Sequence, residues 1–196
     1  DALTKPESAM QNYKWPHTKL DVLTHSARTP AGAHEYSAAT IFTGVNEGTG
    51  VLSFDERSGI QKVSYQLTQG KEIELSLVGA LTSSAHFQDP GSEAERLAIF
   101  AALEGADKLW AGHTGAWQDL WRSDVIIKGD ADAQRAVRFA LYNLYASAQL
   151  GGAYGMAPMG LSSLEYYGHT FWDSELWMLP PLMLLQPELA KSALEY

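Results

Sequence analysis

The sequence predicts an α+β protein in which the strands come first and the helices follow. Two observations support this: apolar residues alternate with polar ones ahead of Pro90, and they recur at three- and four-residue steps after it. The first period is typical of a half-buried strand and the second of an amphipathic helix. Segregated runs of the two kinds indicate an α+β domain or two separate domains.

The strand pattern is clearest between residues 63 and 77. Residues 63–67 alternate between apolar and polar, as do residues 73–77, and Gln69–Gly70 between them predicts a hairpin turn. A half-polar sheet of this kind is antiparallel, as in a β-sandwich.

The first 35 residues are polar and interrupted by Pro6, Pro16, Pro30 and Gly32. That composition predicts loops with one or two short strands. Short β-prone stretches follow at Ala39–Thr43 and Val51–Phe54, and the Gly/Asn segment 44–50 between them predicts a turn.

Helical patterns begin at Pro90. Ser92 followed by Glu95 predicts a capping box, and apolar positions at helical spacing then continue through Gly105 to Trp121. A short extended link follows at 124–130. Asp130 is the predicted N-cap of a helix over 131–150 with one apolar face, made by Ala133, Val137, Leu141, Leu144 and Ala148.

A glycine-rich loop, 151–168, precedes two further predicted helices. One begins near Trp172, and the other begins at Pro187, a residue that suits the first helical position. Pro180 and Pro181 are predicted to end or kink the first of these helices, because proline lacks an N–H donor.

Composition excludes several functional classes. The net charge is −9 and the chain has no Lys/Arg cluster, which argues against a nucleic-acid partner. Because there is no cysteine, disulfides and thiolate metal sites are excluded, and the histidines lack metal-binding spacing. We therefore predict no metal and no cofactor. The longest apolar run, 176–185, contains two prolines and is too short to cross a bilayer, so no membrane partner is predicted.

The chain begins with Asp1 rather than Met and stops at Tyr196 inside a helical pattern. We expect a piece of a longer polypeptide, whose remainder is a partner of these residues. The compartment and the oligomeric state, a homodimer included, stay open.

The stretch YYGHTFWDSELWMLPPLML, residues 166–184, concentrates aromatic rings and carboxylates. If it is helical from Trp172, Asp173 and Glu175 point in different directions and cannot both flank one scissile bond. Leu176 and Trp177 are predicted core residues. His169 is predicted to be a hydrogen-bonded structural residue.

Two interpretations of Asp173 stay open. Its carboxylate could cap the helix, where the dipole favours negative charge. Alternatively, the Trp172 indole could cover the apolar face of a pyranose while Asp173 accepts charge-assisted hydrogen bonds from the sugar hydroxyls. The second interpretation makes Trp172 and Asp173 the predicted substrate-binding residues, with a small sugar as the partner.

Residues 160–196 resemble the start of the catalytic domain of glycoside hydrolase family 65. The resemblance rests on Gly160-Leu161-Ser162, Gly168-His169, the FWDSE run 171–175 and Pro187-Glu188. Ser163 and Glu165 depart from it, since relatives commonly have Gly at both positions. Upstream, residues 116–144 resemble the helical linker and first barrel helix of the family.

The resemblance implies three parts: the end of an N-terminal antiparallel β-sandwich (1–90), a helical linker (91–129) and the first helices of an (α/α)6 catalytic barrel (130–196). It also implies an inverting enzyme for α-linked glucose disaccharides such as kojibiose or trehalose. In the family, the residues matching Trp172 and Asp173 lie in the glucose subsite.

The catalytic acid and base of the family lie in stretches that match nothing in this chain, so no catalytic residue is expected within it. The residues after FWDSE are closer to the hydrolase members. A disaccharide phosphorylase and a non-catalytic carbohydrate-binding module are the alternatives.

Overall fold

The computed structural model describes residues 3–44, 50–152, 155–163 and 165–195. The chain divides into two compact units, Asp1–Ala111 and Gly112–Tyr196. Antiparallel strands dominate the first unit and helices make up the second, so the predicted α+β class is confirmed. Within the described ranges, no helix is long and apolar enough to cross a membrane.

The first unit is built on a four-stranded antiparallel sheet with the order β1–β2–β3–β6. Its strands are β1 (Glu7–Trp15), β2 (Thr18–Arg28), β3 (Glu35–Thr43) and β6 (Ser76–Ser83). A separate two-stranded ladder pairs β4 (Val51–Asp55) with β5 (Ile60–Ser64). The strands predicted at 39–43 and 51–54 are confirmed, whereas most of the predicted turn at 44–50 lies outside the described residues.

The prediction of loops over the first 35 residues is wrong, because β1 and β2 are long strands paired along their whole length. The prolines mark the strand ends. Pro6 directly precedes β1, Pro16 lies in the turn between β1 and β2, and Pro30 lies between β2 and β3. Proline cannot donate to a strand ladder, so these positions interrupt no pairing.

The predicted hairpin between residues 63 and 77 is also wrong. A turn does form at its centre, where the Lys71 N–H donates to the Thr68 carbonyl at 3.1 Å. However, β5 ends at Ser64, β6 begins at Ser76, and no strand lies between them. Only the two ends of the stretch are paired: residues 63–64 belong to β5, which pairs with β4, and residues 76–77 belong to β6, which pairs with β3.

Helix α1 (Pro90–Glu104) packs on one face of the four-stranded sheet and closes the core of the first unit. That core consists of small and branched side chains from β2, β3 and α1, namely Leu20, Val22, Ala39, Ile41, Ala94 and Ala98.

The predicted capping box at the start of α1 is wrong. Asp89 is the N-cap, and its carboxylate accepts the Ser92 N–H at 3.0 Å and the Ser92 hydroxyl at 2.7 Å. The helix starts early because Pro90 suits the first helical position. Glu95 instead accepts a 2.6 Å hydrogen bond from the Tyr13 hydroxyl, and this bond raises the pKa of Tyr13.

Helix α2 (Ala106–Leu120) follows a break at Gly105, which has a φ of +84°. Trp117 and Leu120 near its end pack against the core of the second unit, as does Trp121 just beyond it. Trp110 is 69% exposed, so the predicted apolar face does not extend to it.

Helix α3 (Ala131–Ser147) is the longest helix described in the second unit. Asp130 caps it as predicted, since its carboxylate accepts the N–H groups of Asp132 and Ala133 at 3.1 and 2.9 Å. The predicted apolar face is confirmed, with Leu141 buried and Val137, Leu144 and Ala148 packed around the core. The helix ends three residues earlier than predicted.

Helical structure is continuous from residue 172 to residue 185. It contains a π turn, Ser174–Met178, followed by α4 (Leu179–Leu185). The prolines 180 and 181 therefore do not end the helix. They lie in the first turn of α4, directly after Leu179. The N–H of Leu179 is the last donor before them, and it closes the π turn by donating to the Ser174 carbonyl.

Helix α5 (Pro187–Leu194) begins at the predicted residue. Gln186 separates it from α4, and the Gln186 side chain donates a 2.5 Å hydrogen bond to the Leu120 carbonyl. Leu182 of α4 and Leu189 of α5 are both buried in the core of the second unit.

Candidate functional site

The loop that leads to the candidate site is fixed to the second unit at two points. Met156 is 3% exposed and belongs to the same core as Leu141 and Tyr145 of α3. Gly160 lies so close to α3 that a Cβ there would come within 2.3 Å of the Ser147 Oγ. Its φ of +51° also favours glycine. Any side chain at position 160 would therefore have to displace the Ser147 hydroxyl or shift the loop.

A short left-handed turn connects this loop to the FWDSE run, residues 171–175, called the aromatic motif below. Tyr166, Tyr167 and Gly168 have φ values of +60°, +51° and +78°, and the His169 N–H closes the turn on the Tyr166 carbonyl at 2.9 Å. The left-handed conformation costs a non-glycine residue roughly 1–2 kcal/mol, so the two tyrosines are strained. The Tyr166 ring packs edge-on against Phe171 at a centroid distance of 5.2 Å.

The two predicted substrate-binding residues lie at the start of the helix. Trp172 is 58% exposed, Asp173 is half-buried, and neither belongs to the apolar core. The side chain of Asp173 makes no capping hydrogen bond to the described helix backbone. Asp173 therefore does not cap the helix through a side-chain hydrogen bond, although it lies in the first turn, where the helix dipole favours negative charge.

The predicted core residues of this helix are wrong as well. Leu176 and Trp177 are 59% and 67% exposed, whereas Ser174, Leu179 and Leu182 are buried. The reason is the π turn, whose hydrogen bonds span five residues rather than four and so rotate the helix relative to a regular 3.6-residue pattern. Two large apolar side chains are thereby left on the surface.

Ser174 is a feature that sequence reasoning missed. It is 4% exposed, and its hydroxyl donates to the Met156 carbonyl. Its N–H donates to the Phe171 carbonyl at 3.0 Å. No sequence signal marks it, because a single serine between two acidic residues has the pattern of an exposed position.

The cavities near the motif are small or lie to one side of it. One of about 30 Å³, lined in part by Met156, Thr170 and Ser174, has room for little more than a water molecule. A larger, mainly apolar groove of about 430 Å³ lies between α3 and the loop at 158–162, and neither Trp172 nor Asp173 lines it. Of these two cavities, neither is lined by Trp172 or Asp173.

The charges along this part of the chain are all negative. Residues 139–190 contain no Lys or Arg, while Glu165, Asp173, Glu175 and Glu188 carry carboxylates. No group of three His, Cys, Asp or Glu in the described ranges is arranged to hold a metal ion. The surroundings of Trp172 therefore favour a neutral ligand over an anionic one.

Residues 138–196 match the glycosyl hydrolase family 65 central catalytic domain. The matched region includes the anchored loop, the left-handed turn, Trp172 and Asp173. Over these residues the chain is similar to glycoside hydrolase family 65. The predicted resemblance is confirmed, while the roles of Trp172 and Asp173 stay predictions.

Two relatives extend the similarity to all residues of the chain. A kojibiose hydrolase of Mucilaginibacter mallensis is 41% identical, and one of Flavobacterium johnsoniae is 39% identical, each over 100% of this chain. A kojibiose phosphorylase of Thermoanaerobacter brockii is 37% identical over 50% of the chain and 13% of its own length. The chain spans only 30% and 29% of the two hydrolases.

Proposed function

We propose that this chain is part of an inverting α-glucoside hydrolase that acts on a glucose disaccharide such as kojibiose or trehalose. The observation that carries the proposal is the exposed indole of Trp172 beside the carboxylate of Asp173, which makes no capping hydrogen bond, within the family's catalytic domain. Hydrolysis is favoured because two kojibiose hydrolases are similar over the whole chain, whereas the kojibiose phosphorylase is similar over half of it.

The proposed contacts follow from the chemistry of the two side chains. The Trp172 ring covers the C–H face of a glucose ring, and Asp173 accepts hydrogen bonds from two of its hydroxyls. Charge-assisted bonds of this kind are about twice as strong as neutral ones. A hydroxyl buried without a partner would cost about 1–3 kcal/mol, so the carboxylate also rejects ligands that present no donor there.

Bond cleavage is assigned to the remainder of the polypeptide. Inverting hydrolysis requires two carboxyl groups about 6.5–9.5 Å apart, with the attacking water between one of them and the sugar. In this proposal Asp173 binds glucose and is neither of the two. The three-part division at residues 90 and 129 and the (α/α)6 barrel belong to the same proposal.

The direct test is Asp173→Ala in the intact polypeptide. Loss of two charge-assisted hydrogen bonds, each worth about 1.5–3 kcal/mol, should lower kcat/KM for the disaccharide by roughly 10²- to 10⁴-fold. The melting temperature should stay unchanged, because Asp173 makes no capping bond. Asp132→Ala is the control, since Asp132 is an exposed carboxylate on α3. Near-normal kcat/KM for Asp173→Ala would reject the assignment.

Product analysis separates the reaction classes. Release of glucose regardless of added phosphate is expected, while phosphate-dependent glucose 1-phosphate would identify a phosphorylase. Titration of this chain alone with glucose and kojibiose, followed by Trp fluorescence, addresses the binding-module alternative. Tight binding by the isolated chain would favour that alternative over an incomplete barrel.

A further inference from the structure

Ser174 connects the start of the helix that begins at Trp172 to the core of the second unit through a hydrogen bond. Its hydroxyl, which is buried, donates to the carbonyl of Met156, a residue that is itself 3% exposed. Met156 packs with Leu141 and Tyr145 of α3 and with Leu182 of α4. The acceptor is therefore held by the apolar core of the second unit and cannot follow a moving helix end.

The same residue closes the backbone around the two predicted glucose contacts. The Ser174 N–H donates to the Phe171 carbonyl at 3.0 Å. Trp172 and Asp173 are the two central residues of the turn that this bond closes. On the other side, the Ser174 carbonyl accepts the Leu179 N–H that closes the π turn. Ser174 thus joins the turn, the π segment and the core.

Trp172 and Asp173 have little else to orient them. Trp172 is 58% exposed and lies outside the core, and Asp173 makes no capping bond. The residues ahead of them, Tyr166 to Gly168, form the exposed and strained left-handed turn. Ser174, the residue that follows them in the chain, is buried and hydrogen-bonded to the core.

We propose that Ser174 is a positioning residue, whose hydrogen bond to the Met156 carbonyl sets the orientation of Trp172 and Asp173 toward glucose. This inference rests on the proposed function of the two residues. A displacement of about 1 Å in a binding group can lower the rate by about 10²-fold. Loss of the tether should therefore weaken turnover much more than it weakens the fold.

The test uses the intact polypeptide and a matched control. Ser192 on α5 is also buried, and its hydroxyl accepts the Gly151 N–H at 2.9 Å and donates to the Glu188 carbonyl at 3.1 Å. Ser174→Ala and Ser192→Ala each remove one buried hydroxyl and should lower the melting temperature by similar amounts. Only Ser174→Ala should lower kcat/KM for kojibiose, by about 10- to 100-fold. Ser174→Thr keeps the hydroxyl and should stay within a few-fold of the wild type.

Each outcome decides a different point. Equal kcat/KM for the two alanine variants, or a Ser174→Thr variant as impaired as Ser174→Ala, would overturn the positioning role. If Ser174→Ala does not fold, Ser174→Cys replaces it, because a thiol is a weak donor of similar size. Wild-type kcat/KM in that variant would also overturn the role. An inactive wild type would instead overturn the proposed function, and the inference that rests on it would fall too.

Discussion

Replacing Gly160 with alanine should destabilise the protein for two separable reasons. The added Cβ would meet the Ser147 Oγ at 2.3 Å and the Ser147 Cβ at 3.3 Å, and the residue would keep a φ of +51°. The left-handed backbone costs about 1 kcal/mol for alanine, and overpacking against a helix costs about 1–3 kcal/mol. The expected loss in the free energy of unfolding is therefore about 2–4 kcal/mol.

Ser147→Ala separates the two terms. It removes the oxygen that the new methyl group would strike, and among the described residues the Ser147 hydroxyl donates to the Asn143 carbonyl in the preceding turn of α3. Such a bond adds little to helix stability. In the Ser147→Ala background, Gly160→Ala should cost only about 1 kcal/mol, the backbone term. The coupling between the two sites should be about 1–3 kcal/mol.

Urea denaturation of the intact polypeptide, followed by Trp fluorescence, measures all four members of this cycle. Gly115→Ala is the control, because Gly115 lies within α2 with open space around its Cβ position. That substitution should stabilise the protein by about 0.5–1 kcal/mol. If Gly160→Ala costs the same with and without the Ser147 hydroxyl, the contact between the loop and α3 is refuted.

Two further predictions concern the partly exposed ion pair between Asp124 and Arg138 and the strained turn. The hydrogen bond from Arg138 lowers the pKa of Asp124 in the folded protein. The stabilisation from this hydrogen bond is complete above about pH 4, the pKa of the carboxyl in the unfolded chain, and is lost as the pH falls through the lowered folded pKa. Asp124→Asn should therefore reduce the urea midpoint at pH 7 but progressively less in acid. Asp132→Asn, which removes a pair that is exposed on both sides, should change little; equal losses from the two variants would contradict this. Tyr167→Gly should raise the free energy of unfolding, measured by urea denaturation, by up to about 1 kcal/mol. Glycine adopts a φ of +51° without strain, and the ring it replaces is 90% exposed. Tyr167→Ala should bring no such gain, and a loss on substitution by glycine would show that the ring makes contacts that outweigh its strain.

Local sequence signals proved reliable where a structure depends on neighbouring residues. Asp130 caps α3 because its carboxylate reaches N–H groups two and three residues away, and Pro187 starts α5 because its own φ suits that position. The predicted N-cap of α1, Ser92, was wrong by three residues, because the neighbouring residues Asp89 and Pro90 also favour a helix start and Asp89 is the N-cap.

The candidate site was predicted only in part. The identities of Trp172 and Asp173 could be chosen from residue chemistry and family resemblance. The burial of the residues around them could not be predicted, because the π turn at Ser174–Met178 changes which side chains face the core. Leu176 and Trp177, predicted as core by a 3.6-residue period, are exposed for that reason.

The order of strands before helices and the motif that resembles family 65 could both be predicted from the residues alone, because periodicity and side-chain chemistry are properties of neighbouring residues. Two features could be learned only from the folded chain: the two ends of the 63–77 stretch pair with β4 and with β3, and Ser174 is anchored on Met156, 18 residues earlier. Strand pairing and burial depend on which distant segments meet, and a pattern read along the chain carries no record of that choice.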